Sequence, residues 1–179
     1  MRIAIVGSSG SGKTTLAKRV AGRAGIPHVE IDAVHHLAGW QPNPSFRDDL
    51  AAALEQPSWV CDGNYSMVDD LVRSAADTIV VFDLPRRTVM RQVTTRTVRR
   101  TLTRAELWNG NREPLSNFFR WDPEHNVIRW AWTRYDRVRA KHLEAAGSGA
   151  WGHATVVWIR SHADGDAWLA TLPIRSTGD

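Results

Sequence analysis

A single cysteine, Cys61, occurs in the chain, so no disulfide can form within it and a cysteine-based metal centre finds no support. Lysine is nearly as scarce. Lys13, Lys18 and Lys141 are the lysines, and every other basic residue is arginine. Arginine's planar fork suits phosphate and carboxylate, although a GC-rich genome would impose the same bias. No apolar run approaches the roughly 20 residues that span a bilayer, and the first residues already read as a strand. Neither a membrane segment nor a signal peptide is expected, and with one cysteine this fits a reducing cytoplasm. Repeats and low-complexity tracts are missing too; only Arg175 to Asp179 reads as a loose tail. What remains is an ordinary composition, 42% hydrophobic and 23% charged with net charge +4, and 179 residues, enough for one good core. We therefore expect a single domain over 1–179.

Glycine is concentrated where it carries chemistry. Gly7-Ser8-Ser9-Gly10-Ser11-Gly12-Lys13-Thr14 is a complete G-x-x-x-x-G-K-[ST] phosphate-binding loop, followed by Thr15. The apolar strand Arg2 to Val6 precedes it, and Leu16 and Val20 open a helical pattern after it. Such a loop turns successive N–H groups inward at a helix N-terminus, a nest for phosphate oxygens. Lys13 can reach the β- and γ-phosphates and the Thr14 hydroxyl can ligate Mg²⁺. The spacing predicts a bound nucleoside triphosphate, ATP or GTP.

Further strands are expected at Pro27–Ile31 ending on Asp32, Trp59–Cys61 ending on Asp62 and Gly63, Thr78–Phe82 ending on Asp83, and Thr155–Ile159. Helical stretches between them imply right-handed crossovers, hence an α/β fold with a five-stranded parallel sheet covered on both faces. Ligands then bind beyond the carboxyl ends of the strands, where Asp32, Asp62 and Asp83 fall. Ser45 with Asp48 reads as a capping pair for a helix through about Glu55. A long helix is expected from Asp122-Pro123-Glu124 to about Gly147, with Ile128, Ala131, Trp132, Tyr135 and Val138 as its buried stripe. Nine tryptophans, among them Trp108, Trp121, Trp130 and Trp132, are many for this length; core, substrate wall and dimer surface all stay open for them.

The second strong signal is the stretch Arg86 to Arg104. At about 100° per residue Val89 and Val93 share a face that Arg96, Arg100 and Arg104 continue. A helix whose inward face changes from valine to arginine is passing over something anionic, or is merely solvating its own end. Over a phosphate loop, such arginines would neutralise a transferring phosphoryl group. A basic helix for DNA is a third reading, but Arg87, Arg91 and Arg99 are scattered around the helix, which disfavours it. Ala105 to Arg120, with Trp108, Asn109, Gly110, Asn111 and Arg112, reads as a mobile lid, placing the lid region at about 96–122.

The phosphate loop, Ile31-Asp32, Gly39-Trp40, Trp59 to Tyr65 and Phe82 to Arg86 together resemble the adenylate-kinase-like branch of P-loop kinases. More narrowly they resemble the small bacterial group labelled topology modulation proteins or FlaR-like kinases. The resemblance covers most of the chain and implies a P-loop NTPase fold with a lid of helix and loop. It implies that Asp62 holds Mg²⁺ through water, and that Arg96 is a lid arginine. Two departures bear on the acceptor. The Phe-Pro-Arg that follows Asp-Gly in adenylate kinases is replaced by Asn64-Tyr65-Ser66, and the Thr-Gly and Arg of the acceptor helix by Asp32-Ala-Val-His-His36. A second-strand aspartate resembles kinases that act on hydroxyls.

The expected function is thus a Mg²⁺-dependent phosphotransferase acting on a hydroxyl of a small molecule, a metabolite or an antibiotic. Lys13, Asp32, Arg96 and Arg100 are the candidate catalytic residues, with Asp32 orienting or deprotonating the hydroxyl. Asp32, His35, His36, Trp40, Asp62, Asn64 and Tyr65 are the candidate acceptor contacts; Trp40 and Tyr65 suit core packing equally well. For His35 and His36, structural roles, acceptor contact and metal binding all remain open. The loop Arg160 to Asp164 is where the relatives cradle the base. A nucleoside monophosphate kinase using Arg47 or Arg73 is one rival, and a nucleotide-dependent regulator of DNA with little transfer is another. Nucleic acid is not the expected partner, and the chain is taken as a monomer or homodimer.

Overall fold

A computed structural model describes residues 1–112 and 126–174. Five strands, β1 (Arg2–Gly7), β2 (His28–Glu30), β3 (Trp59–Asp62), β4 (Thr78–Phe82) and β5 (Thr155–Ile159), lie in the order β2-β3-β1-β4-β5. Every pairing is parallel. The chain has the P-loop NTPase fold, an α/β sheet with helices on both faces.

Side chains alternate along each strand and feed two separate cores. Ala4, Val6, Cys61, Ile79 and Val81 point to one face, where Leu50, Leu54 and Val72 cover them. Those covering residues come from α3 (Phe46–Leu54) and α4 (Asp69–Ala75). Ile3, Ile5, Val60, Val80 and Phe82 point to the other face, against Leu16, Ala17 and Val20 of α1 (Lys13–Ala24) and Leu169 of α7 (His162–Thr171). Each fully buried Val, Leu or Ile contributes about 1.5–3 kcal/mol. Trp59 is also completely buried and donates its indole N–H to Leu54 O at 3.1 Å. Cys61 is buried in the same layer, which pushes its thiol pKa up and keeps it a packing residue.

Four expectations change in the structure. First, β2 stops at Glu30, and Asp32 belongs to the short helix α2 (Ile31–His35) rather than to a strand end. Ile31 turns into the core there, so close to Gly63 that a β-carbon on that glycine would meet it at 2.7 Å. Second, Ser45 is the N-cap of α3 but makes no side-chain cap bond. Asn43 does the local work, accepting from Ser45 N–H at 2.9 Å and donating to Asp49 at 2.8 Å. Third, helix α6 (Val127–Gly147) is capped by Asn126, whose side chain accepts from the N–H groups of Ile128 and Arg129. The expected start at Asp122-Pro123-Glu124 lies outside the described residues, as do Trp121 and the tail from Arg175. The buried stripe is Ala131, Tyr135 and His142, whereas Trp132 is 53% exposed under the Arg86 guanidinium, 4.5 Å away.

The fourth change concerns α5 (Arg86–Thr103), whose inward face is Val89, Val93, Thr97 and Thr101. The face does not turn from valine to arginine; it continues as threonine. Arg96 and Arg100 flank it, each one residue earlier, and Arg104 is exposed in a left-handed C-cap. Of the expected lid, 96–103 is the end of α5, 106–112 is a hairpin, and 113–122 lies outside the described residues.

Candidate active site

The phosphate loop bridges β1 and α1. Gly10 and Gly12 take φ of 81° and 100°, a left-handed backbone open to glycine, and this curls the chain so that its N–H groups converge. Gly10 also touches α5: a β-carbon there would lie 2.7 Å from that of Val93. Inside the loop Lys13 donates to Ser8 O at 2.9 Å. Burial lowers its pKa from 10.5 to about 8, against the opposing pull of Asp62 and Asp32. The Ser11 hydroxyl is buried with no hydrogen-bond partner, and Ser9 accepts from Arg96 at 3.4 Å. A desolvated cation and an orphaned hydroxyl in a glycine-curled loop are the features expected of an anion seat.

A cleft of about 580 Å³ extends from this loop, lined by Gly12, Thr15, Arg96, Arg100, His162 and Asp166 among others. The loop after β5 thus brings His162 to the cleft, where it also pairs with Gln92. Ser161 and Asp164 of that loop form a reciprocal capping box for α7 instead of facing a ligand.

Asp62 ends β3 with 3% of its surface exposed. One carboxylate oxygen accepts from the Thr14 hydroxyl at 2.5 Å, and the other is 2.8 Å from His28 Nε2. The two oxygen-bearing side chains, Thr14 and Asp62, fit Mg²⁺, a hard cation that keeps most of its water and takes phosphate oxygens. Among the described residues no group of three or more His, Cys, Asp or Glu could hold a metal, so such an ion would depend on the nucleotide for the rest of its shell. His28 was missed in the sequence because only the parallel pairing of β2 with β3 brings it to Asp62.

At α2, Asp32 accepts from the Tyr65 hydroxyl at 2.7 Å, and that hydroxyl is 3.3 Å from His36 Nε2. Burial and the charge of Asp32 push the Tyr65 phenol pKa up, so it stays a donor. His35 packs edge-on to Phe46 at 4.8 Å and beside Tyr65 at 4.6 Å. Its pKa is pulled down by burial and then by His36, so it is a neutral ring in this layer. Trp40 stands 5.3 Å from His36. Asn64, like Asp62, is engaged at the phosphate loop. Its side chain donates to Gly7 O and accepts from Gly7 N–H, which ties it to the phosphate loop instead.

Other expected groups are engaged elsewhere. Asp83 is held by Arg139 at 2.5 and 3.1 Å. Arg47 pairs with Asp70, and buried Arg73 pairs with Asp69 at 2.8 Å and covers the Trp151 ring. Trp108, Asn109 and Asn111, read as parts of a lid, with core, wall and dimer surface also open for Trp108, lie against residues 33–40; the Trp108 ring stacks near His36 at 6.1 Å.

Compared with known proteins, residues 3–104, more than half of the chain, match the ATPase family associated with various cellular activities (AAA). The chain belongs to this family. The matched stretch runs from β1 through α5 and so holds the phosphate loop, Asp62 and both cleft arginines of the AAA chain. A crystal structure of a gluconokinase from Sinorhizobium meliloti 1021 is similar, with 17% identity over 94% of this chain and 91% of that one, at a TM-score of 0.49. No curated protein matches the sequence. Among the described residues no helix is long and apolar enough to cross a membrane.

Proposed function

We propose that this AAA-family chain is a Mg²⁺-dependent kinase that moves the γ-phosphoryl group of ATP or GTP to a hydroxyl of a small molecule. One observation carries the reading. A carboxylate, Asp32, held by a protonated phenol, lies close enough to the phosphate-loop lysine to influence its charge. In this reading that carboxylate orients the acceptor hydroxyl for in-line attack on the γ-phosphate. The adenylate-kinase-like and topology-modulation resemblance belongs to this proposal, as does a cytoplasmic site of action.

In this reading the loop amides from Gly7 to Thr15 and Lys13 hold the triphosphate. Thr14 and Asp62 would hold the magnesium ion, Asp62 by way of water as the family resemblance implies, and the ion would neutralise phosphate charge. Arg96 and Arg100 face the same cleft and would oppose the charge that spreads onto the transferring group. Asp32 takes the acceptor proton while the oxygen–phosphorus bond forms and the bond to the β–γ bridging oxygen breaks. His36, Trp40, Tyr65 and Trp108 supply an aromatic wall suited to a hydroxylated ring rather than to a second phosphate. Both arginines considered for an acceptor phosphate, Arg47 and Arg73, are bound to Asp70 and Asp69, which argues against a nucleoside monophosphate.

Assaying product formation from labelled ATP with panels of sugars, cyclitols, amino alcohols and nucleoside monophosphates tests the proposal. Transfer to monophosphates alone would replace it. A second reading has its own support: Arg91, Arg96, Arg99 and Arg100 line a groove of about 880 Å³ along α5, which suits an anionic partner. Steeply salt-dependent binding to duplex DNA without phosphoryl transfer would favour a nucleotide-dependent regulator.

A further inference from the structure

Two hairpins far apart in the chain follow the same plan. In the first, His36 bridges Pro42, Leu37 N–H donates to Gln41 O at 2.8 Å, and Gly39 and Trp40 take φ of 72° and 61°. In the second, Glu106 bridges Arg112, Leu107 N–H donates to Asn111 O at 2.7 Å, and Asn109 and Gly110 take φ of 54° and 77°. Paired left-handed residues mark the tight turns that join antiparallel segments. For tryptophan this backbone is strained, so something must hold Trp40 there.

The second hairpin does the holding. Asn111 is 4% exposed. Its carboxamide accepts from Trp40 N–H at 2.9 Å and donates to Leu37 O at 2.9 Å, gripping both sides of the first turn. Asn109 donates to Ala33 O at 3.1 Å and to His36 O, and the Trp40 indole donates to Arg112 O at 3.2 Å. Trp108 completes the contact, 6.2 Å from the Trp40 ring.

We infer that the acceptor wall is a composite of the two hairpins, with Asn111 the positioning residue that fixes Trp40 and Trp108 the part of the wall contributed by residues 106–112. The inference rests on the kinase reading above and adds a consequence to it. An intact wall keeps water away from the γ-phosphate. A loosened one admits water as acceptor: its oxygen bonds to the γ-phosphorus, the bond to the β–γ bridging oxygen breaks, ADP leaves and one proton passes to Asp32.

The test uses the whole chain with Mg-ATP and no added acceptor. Asn111→Ala should raise ATP hydrolysis several-fold and speed amide hydrogen exchange at Trp40, while the affinity for a non-hydrolysable ATP analogue stays unchanged. Trp108→Ala, which leaves both turns intact, should raise hydrolysis in the same way even if the first variant folds poorly. Unchanged hydrolysis and unchanged Trp40 exchange, or a loss of analogue affinity, overturns the inference. Absence of phosphoryl transfer to every hydroxyl acceptor in the wild-type chain would remove the kinase reading alone, because the exchange at Trp40 reports the seating of the hairpins without reference to transfer.

Discussion

On the donor side of the cleft, the groups that would meet phosphate are mainly backbone amides from one unbroken octapeptide, stiffened by Asn64 on Gly7 and by Val93 against Gly10. On the acceptor side they are side chains from separate pieces of chain: Asp32 and His36 around α2, Tyr65 after β3, and Trp108 and Asn111 from a hairpin beyond α5. A backbone cradle tolerates any polyphosphate and can be encoded locally. A wall of side chains selects one partner, and every segment that contributes to it must be placed by the fold. On the proposed reading, general binding and particular chemistry would be handled by different kinds of structure.

The sharpest way to separate the two sides is Asp32→Asn. It should lower turnover by about 10²–10⁴ while calorimetry with a non-hydrolysable ATP analogue shows affinity near wild type. Activity like wild type would take Asp32 out of the mechanism. Lys13→Ala should do the reverse and weaken the analogue about ten- to a hundredfold, the scale of losing a charged hydrogen bond. Equal damage to affinity from both variants would erase the distinction between the sides.

A smaller effect should come from His28, which bonds Asp62 and touches neither partner. His28→Ala should raise the magnesium concentration needed for half-maximal analogue binding by about tenfold, and His28→Gln should restore part of it. An unchanged magnesium titration would confine His28 to packing.

A last effect concerns stability and not the cleft. Burial, then the charges of Arg73 and other cations, lower the pKa of His142 from 6.5 to about 3. The unfolded chain therefore takes up a proton that the folded chain refuses as the pH drops below about 6.5. Stability from this group is complete above that pH and is lost progressively toward pH 3. Melting temperatures measured from pH 7 to 4 should fall less steeply in His142→Gln than in wild type.

The same contrast governs what could be read without a structure. Strand positions and the phosphate loop follow from short-range pattern, because a buried parallel strand is a run of apolar residues and the loop is one continuous motif. The assignment of Asp32 to a strand end failed by two residues, since nothing local shows Ile31 turning in beneath Gly63. Arg96 and Arg100 were found through periodicity, yet they flank the buried stripe, because helix packing tolerates threonine inward at Thr97 and Thr101. His28 and Asn111 were invisible, as each acts on a partner brought near only by tertiary folding.

The contact between Gly10 and Val93 has a wider meaning. Val93 and Arg96 lie almost one helical turn apart on α5, so the place where the loop rests on the helix also sets how far the guanidinium lies from Ser9 of the loop. A missing β-carbon acts as a gauge block. Adding even a methyl group at that point would push helix and loop apart, and would draw the Arg96 guanidinium away from the loop with it.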